Sequence, residues 1–594
     1  MLKSNIHITP FRRNMVYGIV IFLFAIIVSK LFYLMIIQHD KYRQLADYNR
    51  IRPVLVNAPR GQIFDRNGVL IAANQSVYSV SVVRDEMRNE DDELNLLAEY
   101  IGIKREIIDL NMKKYYRGRF LPATIARDVS IKNLSLIEEH RGDLPGVNYS
   151  EFPIRLYMDK PGPQLSHVLG YLREIGRNEL EKYANSDYTP GDFIGAQGLE
   201  KQYEWRLKGF KGILYYQVDA LGREVGLVMD KAPIPPTPGE DLTITIDSGL
   251  QGYAEELLEG GIGSIVMMNA STGEVLAMVS KPDYVLDDFA GFIDERSWGE
   301  YVSDTTKPLL NRATLGLYPP GSAYKIITTI AALEEYKVDP LWTIECSGIY
   351  QYGDRSFGCW KPEGHGTVNL SKGLVESCNI YFYHLIQRME LDVWYKYGRM
   401  FGFDEKTGID LPEEYSGIIP DRKYMDNKYG KHRWTRGFLL NVAIGQGDIL
   451  VTPLQMVRFI SMIASRGKYI QPWLVEPYQL SEEEKRDKRV NLKKSTWDKI
   501  HKMTFDVVNA FNGTAYSSRI SDKKIKFYGK TGTAENPHGK PHAWFVGFAV
   551  YRSEIVSISV IIENGGHGGV FAAPIASKLI QYWFGFGDEV LTLQ

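Results

Sequence analysis

The chain has 594 residues, enough for several domains rather than one. Its 70 basic and 72 acidic residues leave a formal net charge of −2, so charge gives no argument for nucleic-acid binding. A hydrophobic content of 44% is ample for packed cores.

The first element in chain order is the stretch Met15–Ile37, which carries no charge except Lys30. It is long enough to cross a bilayer. Lys3, Arg12 and Arg13 precede it, and no acidic residue occurs before Asp40. The positive-inside bias therefore predicts a cytoplasmic tail over residues 1–14, a transmembrane helix over 15–37, and everything later outside the cytoplasm. The rival reading is a cleaved signal peptide, against which stand the length of the run and the lack of a small-x-small cleavage site. The expectation is a single-pass protein of the inner (cytoplasmic) membrane with its bulk in the periplasm or an equivalent extracytoplasmic space. Lys30, next to Ser29, either faces a partner in the membrane or snorkels to the outer interface.

Residues 38–240 mix strand-like and helical pieces, an α+β pattern with no catalytic constellation. The charges of Asp65 and Arg66 invite one, but the following Asn67-Gly68 is a turn signal between two apolar runs. Pro233, Pro235, Pro236 and Pro238 then mark a stiff, extended connector. Strand alternation over Leu242–Ile246 opens a second domain, residues 241–594.

Within that domain Ser322 and Lys325 follow the break Pro319-Pro320-Gly321. A serine hydroxyl is a weak nucleophile and needs a base nearby. Positions i and i+3 share one face of a helix, so a neutral lysine amine there reaches the serine oxygen. The run to Leu333 is apolar nearly all round, as in a buried helix, and burial lowers a lysine pKa toward that of a general base. Ser-x-x-Lys also occurs at Ser465–Lys468 and Ser521–Lys524, in turn-like or solvated settings. Only Ser322 is followed by a Ser-x-Asn, Ser377-Cys378-Asn379, opening a helix-like run. Lys530-Thr531-Gly532-Thr533 comes later, on strand-like sequence ahead of further strands at Ala543–Tyr551 and Ile555–Ile562. The second Lys-Thr-Gly, Lys406–Gly408, sits in a loop-like setting, so Lys530 takes the active-site role.

This ordered set resembles the penicillin-recognising serine transpeptidases. The resemblance runs through Ala270–Pro282, Gly445–Asp448, Val451–Gln455 and His542–Gly547. Upstream, Pro59–Gly68 and Gly198–Glu200 resemble the non-catalytic pedestal of class B penicillin-binding proteins. No segment resembles the glycosyltransferase domain of class A. The implied fold is multidomain: an N-terminal transmembrane helix, an α+β pedestal, and an α/β transpeptidase domain with an antiparallel sheet flanked by helices.

The resemblance also implies roles. Ser322 would attack the penultimate D-alanine carbonyl of a peptidoglycan stem peptide, giving an acyl-enzyme that a neighbouring stem's amine resolves into a cross-link. Lys325 would be its base, Ser377 would relay the proton to the leaving D-alanine, and Asn379 would bind the substrate amide. Lys530 would supply positive charge, with Thr531, Gly532 and Thr533 at the terminal carboxylate. The backbone N–H groups of Ser322 and Thr533 would form the oxyanion hole. β-Lactams would act as inhibitors. Implied partners are a polytopic membrane glycosyltransferase of the shape, elongation, division and sporulation family and elongation-complex scaffold proteins.

Cys346, Cys359, His365 and Cys378 allow two readings. One is a Cys3His site for structural zinc, with Cys346 and Cys359 standing where some elongation-type relatives carry carboxylates. The other is a Cys346–Cys359 disulfide with Cys378 as a small buried residue. No organic cofactor is expected. His538, His542 and His567 are read as loop or packing residues. The leading function is an elongation-type D,D-transpeptidase of the side wall. The alternatives are a division-type paralogue and, from another class, a β-lactam sensor or scaffold without turnover. A β-lactamase fits the anchor and pedestal poorly.

Overall fold

The computed structural model describes residues 9–586 except 117, 119–120, 159–161, 185, 220–223, 230, 292, 294, 336–337, 432, 477–487 and 538. Lys3, His538 and the extreme ends of the first and last predicted segments lie outside the described residues. The chain forms two compact units, each assembled from separated segments.

The first unit comprises residues 1–59, 76–153 and 210–237. Helix α1, Pro10–Phe32, starts at a proline and runs on into a π-helical turn, Tyr33–Ile37. It is the one span among the described residues long and apolar enough to cross a membrane, and none of its side chains is buried. Helix His39–Arg50 follows, then an antiparallel sheet in the order Ile51–Val56, Gly212–Val218, Glu224–Leu227. A separate small core joins Val80 and Val82 to Leu94 and Leu97 of helix Glu90–Ile101, with Ile108, Ile125 and Ile137.

The second unit comprises residues 60–75, 154–209 and 238–594. The segment 38–240 contributes residues to both units. The turn predicted at Asp65–Gly68 is present: the Asp65 carboxylate accepts from the N–H groups of Asn67 and Val69, both at 2.8 Å. The strand expected over Leu242–Ile246 is only Leu242–Thr243, paired in parallel with Ile63–Phe64. Ile244 N–H still bonds Phe64 O at 2.8 Å, but Thr245 is buried and its N–H turns to Leu474 O at 2.7 Å, which ends the pairing and the alternation. Arg155, 1% exposed, is held by Glu200 at 2.7 Å and by the Gly61 carbonyl at 2.8 Å. Arg60 joins the same Glu200 at 2.7 Å and Glu204 at 2.9 Å. Buried charges persist only when paired in this way.

The main body is a five-stranded antiparallel sheet. Its strands are β1 (Gly263–Asn269), β2 (Val275–Lys281), β3 (Ile525–Ala534), β4 (His542–Tyr551) and β5 (Glu554–Ile562), in the order β2-β1-β5-β4-β3. The strands read as continuous apolar runs because both faces are covered. Helices α2 (Ser248–Leu257) and α8 (Ala572–Trp583) lie on one face, over Phe545, Val556, Ile558 and Val560. On the other face are α3 (Lys325–Glu334), α4 (Asn379–Ile386), α5 (Phe438–Ala443), α6 (Pro453–Ala464) and α7 (Lys494–Asn509), which with Trp544, Val546 and Phe548 enclose the largest core. Helix α6 is buried throughout and begins with a capping box between Thr452 and Gln455, followed by Pro453. Every residue of α3 from Lys325 to Leu333 is also buried, so the central helix carries a lysine into the core.

Candidate active site

Pro319 and Pro320 prevent an earlier helical start, and Gly321 turns the backbone at φ +54°. Ser322 therefore lies on a 3-10 turn, Gly321–Tyr324, and the α-helix proper starts at Lys325. The sequence suggested one continuous helix; the tighter first turn is a common helix entry. A Cβ on Gly321 would sit 2.8 Å from the Thr533 carbonyl oxygen, so glycine is what lets this turn lie against β3. The same closeness recurs at Gly532, where a Cβ would stand 2.7 Å from that of Trp544 and 3.0 Å from the Pro320 oxygen. The Trp544 indole N–H also donates to the Pro319 carbonyl at 3.1 Å.

Ser377 sits at the junction of two helices. The helix Leu370–Val375 ends in a Schellman motif: Cys378 N–H donates to Gly373 O at 2.9 Å and Ser377 N–H to Leu374 O at 3.3 Å. That motif demands a left-handed residue, and Ser377 supplies it at φ +57°, a position usually given to glycine. Backbone strain of this kind collects where a side chain must be held in place. Cys378 is then the N-cap of α4, and Asn379 its first residue.

Two buried lysines converge on Ser377. The Lys325 amine donates to Ser377 O at 2.9 Å, Ser377 Oγ at 3.3 Å and Asn379 Oδ1 at 2.7 Å. The Lys530 amine donates to Ser377 Oγ at 3.0 Å and to Thr531 O at 3.0 Å. Burial pulls Lys325 down to about 8, against the opposing influence of Cys378 and Cys359. Lys530 is pushed well below the usual lysine range, by burial first and by Lys325 second. Two like charges sharing one serine hydroxyl disfavour double protonation. Asn379 Nδ2 donates to Gly358 O at 3.3 Å. The Thr531 hydroxyl lies 2.7 Å from that of Thr514, a partner the sequence did not single out. Gln446, buried beside Thr533, was likewise missed as an individual residue, although its segment was recognised.

The rival motifs fold into ordinary structure. Thr407 and Gly408 donate their N–H groups to the Glu414 carboxylate at 2.7 and 3.2 Å, closing a loop. Ser465 is the C-cap of α6, and Lys524 N–H bonds Asp522 in the turn before β3. His542 accepts from Asn564 N–H at 3.1 Å and packs edge-on against Tyr318, while His567 is exposed.

Cys346, Cys359, His365 and Cys378 converge, with one ligand atom from each lying within 4.8 Å of the others, and all three thiols are free. His365 Nδ1 is 3.5 Å from both Cys346 Sγ and Cys359 Sγ. A tetrahedral zinc with bonds of about 2.3 Å to sulfur and about 2.0 Å to nitrogen requires an N···S edge of about 3.5 Å. The donor set and its spacing fit such an ion. The hydrogen bond shared by Cys378 and Cys359 holds the Cys359 thiol below its ordinary range, with His365 assisting, and pushes the Cys378 thiol above its own.

A model of the penicillin-binding protein transpeptidase domain matches residues 263–581, and one of the penicillin-binding protein dimerisation domain matches residues 55–244. The chain belongs to the penicillin-binding protein transpeptidase family. Within it the chain is of the class B, PBP2-like kind. The peptidoglycan D,D-transpeptidase MrdA of Acinetobacter baumannii is 31% identical over 595 residues, covering 95% of this chain and 86% of that protein. The Helicobacter pylori penicillin-binding protein PBP2, solved in complex with MreC, superposes with a TM-score of 0.77 at 28% identity, over 90% of this chain and all of that one. A chain from a peptidoglycan synthase complex, solved to describe the coordination of polymerization and crosslinking, gives a TM-score of 0.71 at 25% identity over 98% of this chain.

Proposed function

We propose that this chain is a membrane-anchored peptidoglycan D,D-transpeptidase of the elongation type that works through a Ser322 acyl-enzyme. The observation that supports the serine mechanism is the convergence of Lys325 and Lys530 on Ser377 Oγ, with Lys325 the first residue after the turn that carries Ser322. Helix α3 holds Lys325 in the core, where desolvation favours the neutral amine that can take the Ser322 proton. A stem-peptide carboxylate arriving at Lys530, Thr531 and Thr533 draws positive charge onto Lys530. The repulsion between the lysines then favours neutral Lys325, so binding the correct chain end readies the base. Ser377 Oγ, touching both amines, passes a proton to the departing D-alanine, and Asn379 binds the substrate amide. The Ser322 and Thr533 N–H groups stabilise the tetrahedral oxyanion. An amine from a second stem then attacks the ester, forming the cross-link and returning Ser322 to its hydroxyl form.

Cys346, Cys359, His365 and Cys378 would hold a zinc ion of structural type, with soft thiolates suited to that metal. Zinc would supply cross-linking of loops, not Lewis-acid chemistry at the substrate. Cys378 lies between Ser377 and Asn379, so ligation ties the Ser-x-Asn junction to the 346–365 segment. The N-terminus lies in the cytoplasm and the catalytic unit outside, by the positive-inside bias. A polytopic glycosyltransferase and an MreC-like scaffold are the proposed partners, supported by likeness to chains solved in such assemblies.

Labelling with a fluorescent penicillin tests the acyl-enzyme. Wild type is expected to label and Ser322→Ala to remain dark, with an unchanged melting temperature. Equal labelling of the two proteins removes Ser322 from the mechanism.

A further inference from the structure

Strand β3 is the last strand of its sheet, so among the described residues one of its edges has no neighbouring strand. Three of the carbonyls on that edge accept from side chains. Asn509 Nδ2 donates to Phe527 O at 2.9 Å, Lys530 Nζ to Thr531 O at 3.0 Å, and Gln446 Nε2 to Thr533 O at 3.0 Å. Gln446 Oε1 also accepts from Glu535 N–H at 3.2 Å, so this one amide grips the strand on both sides of Ala534. In a strand the N–H and C=O of one residue point to the same side. The Thr533 N–H therefore faces the edge that Gln446 holds; it lies in the Gly532–Thr533 peptide, directly before the two peptide planes that Gln446 clamps, and is tied to them through the Thr533 backbone torsions.

The loop carrying Gln446 grips the other half of the site too. Gly445 O accepts from Gly321 N–H at 2.9 Å, one residue before Ser322. The loop is fixed in turn at the end of α5, where Gly445 N–H bonds Val442 O at 3.0 Å and Gln446 N–H bonds Asn441 O at 2.9 Å. Helix α5 is pinned to α3 by Thr328 Oγ1, which donates to Ala443 O at 3.1 Å. One short loop thus bonds the backbone beside the nucleophile and the backbone of the facing strand.

We propose that Gln446 is a positioning residue that sets the separation and aim of the Ser322 and Thr533 N–H groups. This rests on the reading of those two N–H groups as the oxyanion hole. Gln446 touches no reacting atom; it acts through Thr533. Its effect belongs to the bond-making step, because the oxygen that the two donors serve becomes an anion only there.

The test is stopped-flow acylation of the full-length protein in detergent by a chromogenic cephalosporin, separating the acylation rate constant from the prior binding constant. Gln446→Glu keeps the size but sets oxygen against the Thr533 carbonyl; Gln446→Met keeps the bulk without hydrogen bonds. Loss of a whole oxyanion donor costs about 100- to 1,000-fold, so a misaimed one is expected to cost roughly tenfold or more in the rate constant. The binding constant should stay within about threefold, since ground-state contacts are untouched. The infrared carbonyl band of the acyl-enzyme should also move to higher frequency as its hydrogen bonds weaken. A merely structural residue would lower the amount of competent protein and leave that band in place. Rate constants within about twofold of wild type in both variants, or an unmoved band, overturn the proposal. If Gln446→Glu does not fold, Gln446→Met and the band decide. Ser322→Ala separates the layers: if it still acylates, the underlying mechanism fails; if it is inert while both Gln446 variants behave as wild type, only the positioning role fails.

Discussion

At the scale of single residues, the site is defined by how few charges it keeps. Lys325, drawn down to about 8 by burial, is mostly protonated at neutral pH and must shed that proton to serve as base. The acylation rate constant is therefore expected to rise with pH through about 8 and then level off. A stopped-flow pH profile that is flat from 6 to 9.5 would count against Lys325. The same displacement has a stability consequence of definite sign. Between about 8 and the ordinary lysine value of 10.5 the unfolded chain holds a proton that folded Lys325 lacks, so stability rises with pH across that window. Ser322, Lys325, Ser377, Asn379 and Lys530 were singled out in the sequence by their order and flanking residues, and the structure brings the last four into mutual contact beside the turn that carries Ser322. The left-handed Ser377 was not. A serine where a Schellman motif normally takes glycine gives no local signal, and only the paired bonds to Gly373 and Leu374 show it.

At the scale of elements, the buried charges of the second unit make the sharpest case. Arg155 and Glu200 are both fully desolvated, and Glu200 also answers Arg60. Burial alone would raise the Glu200 carboxyl, yet Arg155 and Arg60 hold it below its ordinary value of 4.5. Glu200→Ala strands Arg155 without a counter-charge and is expected to cost about 3–5 kcal/mol in denaturant unfolding. A loss under about 1 kcal/mol would mean that water or a new partner replaces the carboxylate. The sign with pH follows from the depressed value. The stabilisation is present above 4.5 and fades as acid protonates Glu200 through its lower folded value. The sequence showed Pro59–Gly68 and Gly198–Glu200 as separate matches. Their union through Arg60 and Glu200 is a long-range pairing that no periodicity encodes. The strands and helices of the main sheet were easier to read, since alternation and apolar runs report local burial directly.

At the scale of the whole molecule, the predicted cut near residue 240 falls close to residue 237, where the first unit ends, while the second unit also takes in residues 60–75 and 154–209. Contact between distant segments is invisible to composition. The cluster of Cys346, Cys359, His365 and Cys378 matters at this scale as well, because it brings the 346–365 segment against the Ser377–Asn379 junction. Chelation followed by buffer exchange is expected to lower the melting temperature and the penicillin acylation rate together, with elemental analysis giving one zinc per chain before treatment. Purified protein without zinc, or unaltered melting after its removal, would dispose of the structural role. The filled carbonyls of β3 carry a further meaning for a protein crowded at a membrane surface. A bare outer strand invites a second copy to add its own and seed aggregation. Here Asn509, Lys530 and Gln446 occupy three of the acceptors, at Phe527, Thr531 and Thr533, while the N–H groups of those residues face the same edge. Such a border turns away another strand, which must both give and receive hydrogen bonds, yet still welcomes a lone oxygen-rich chain end.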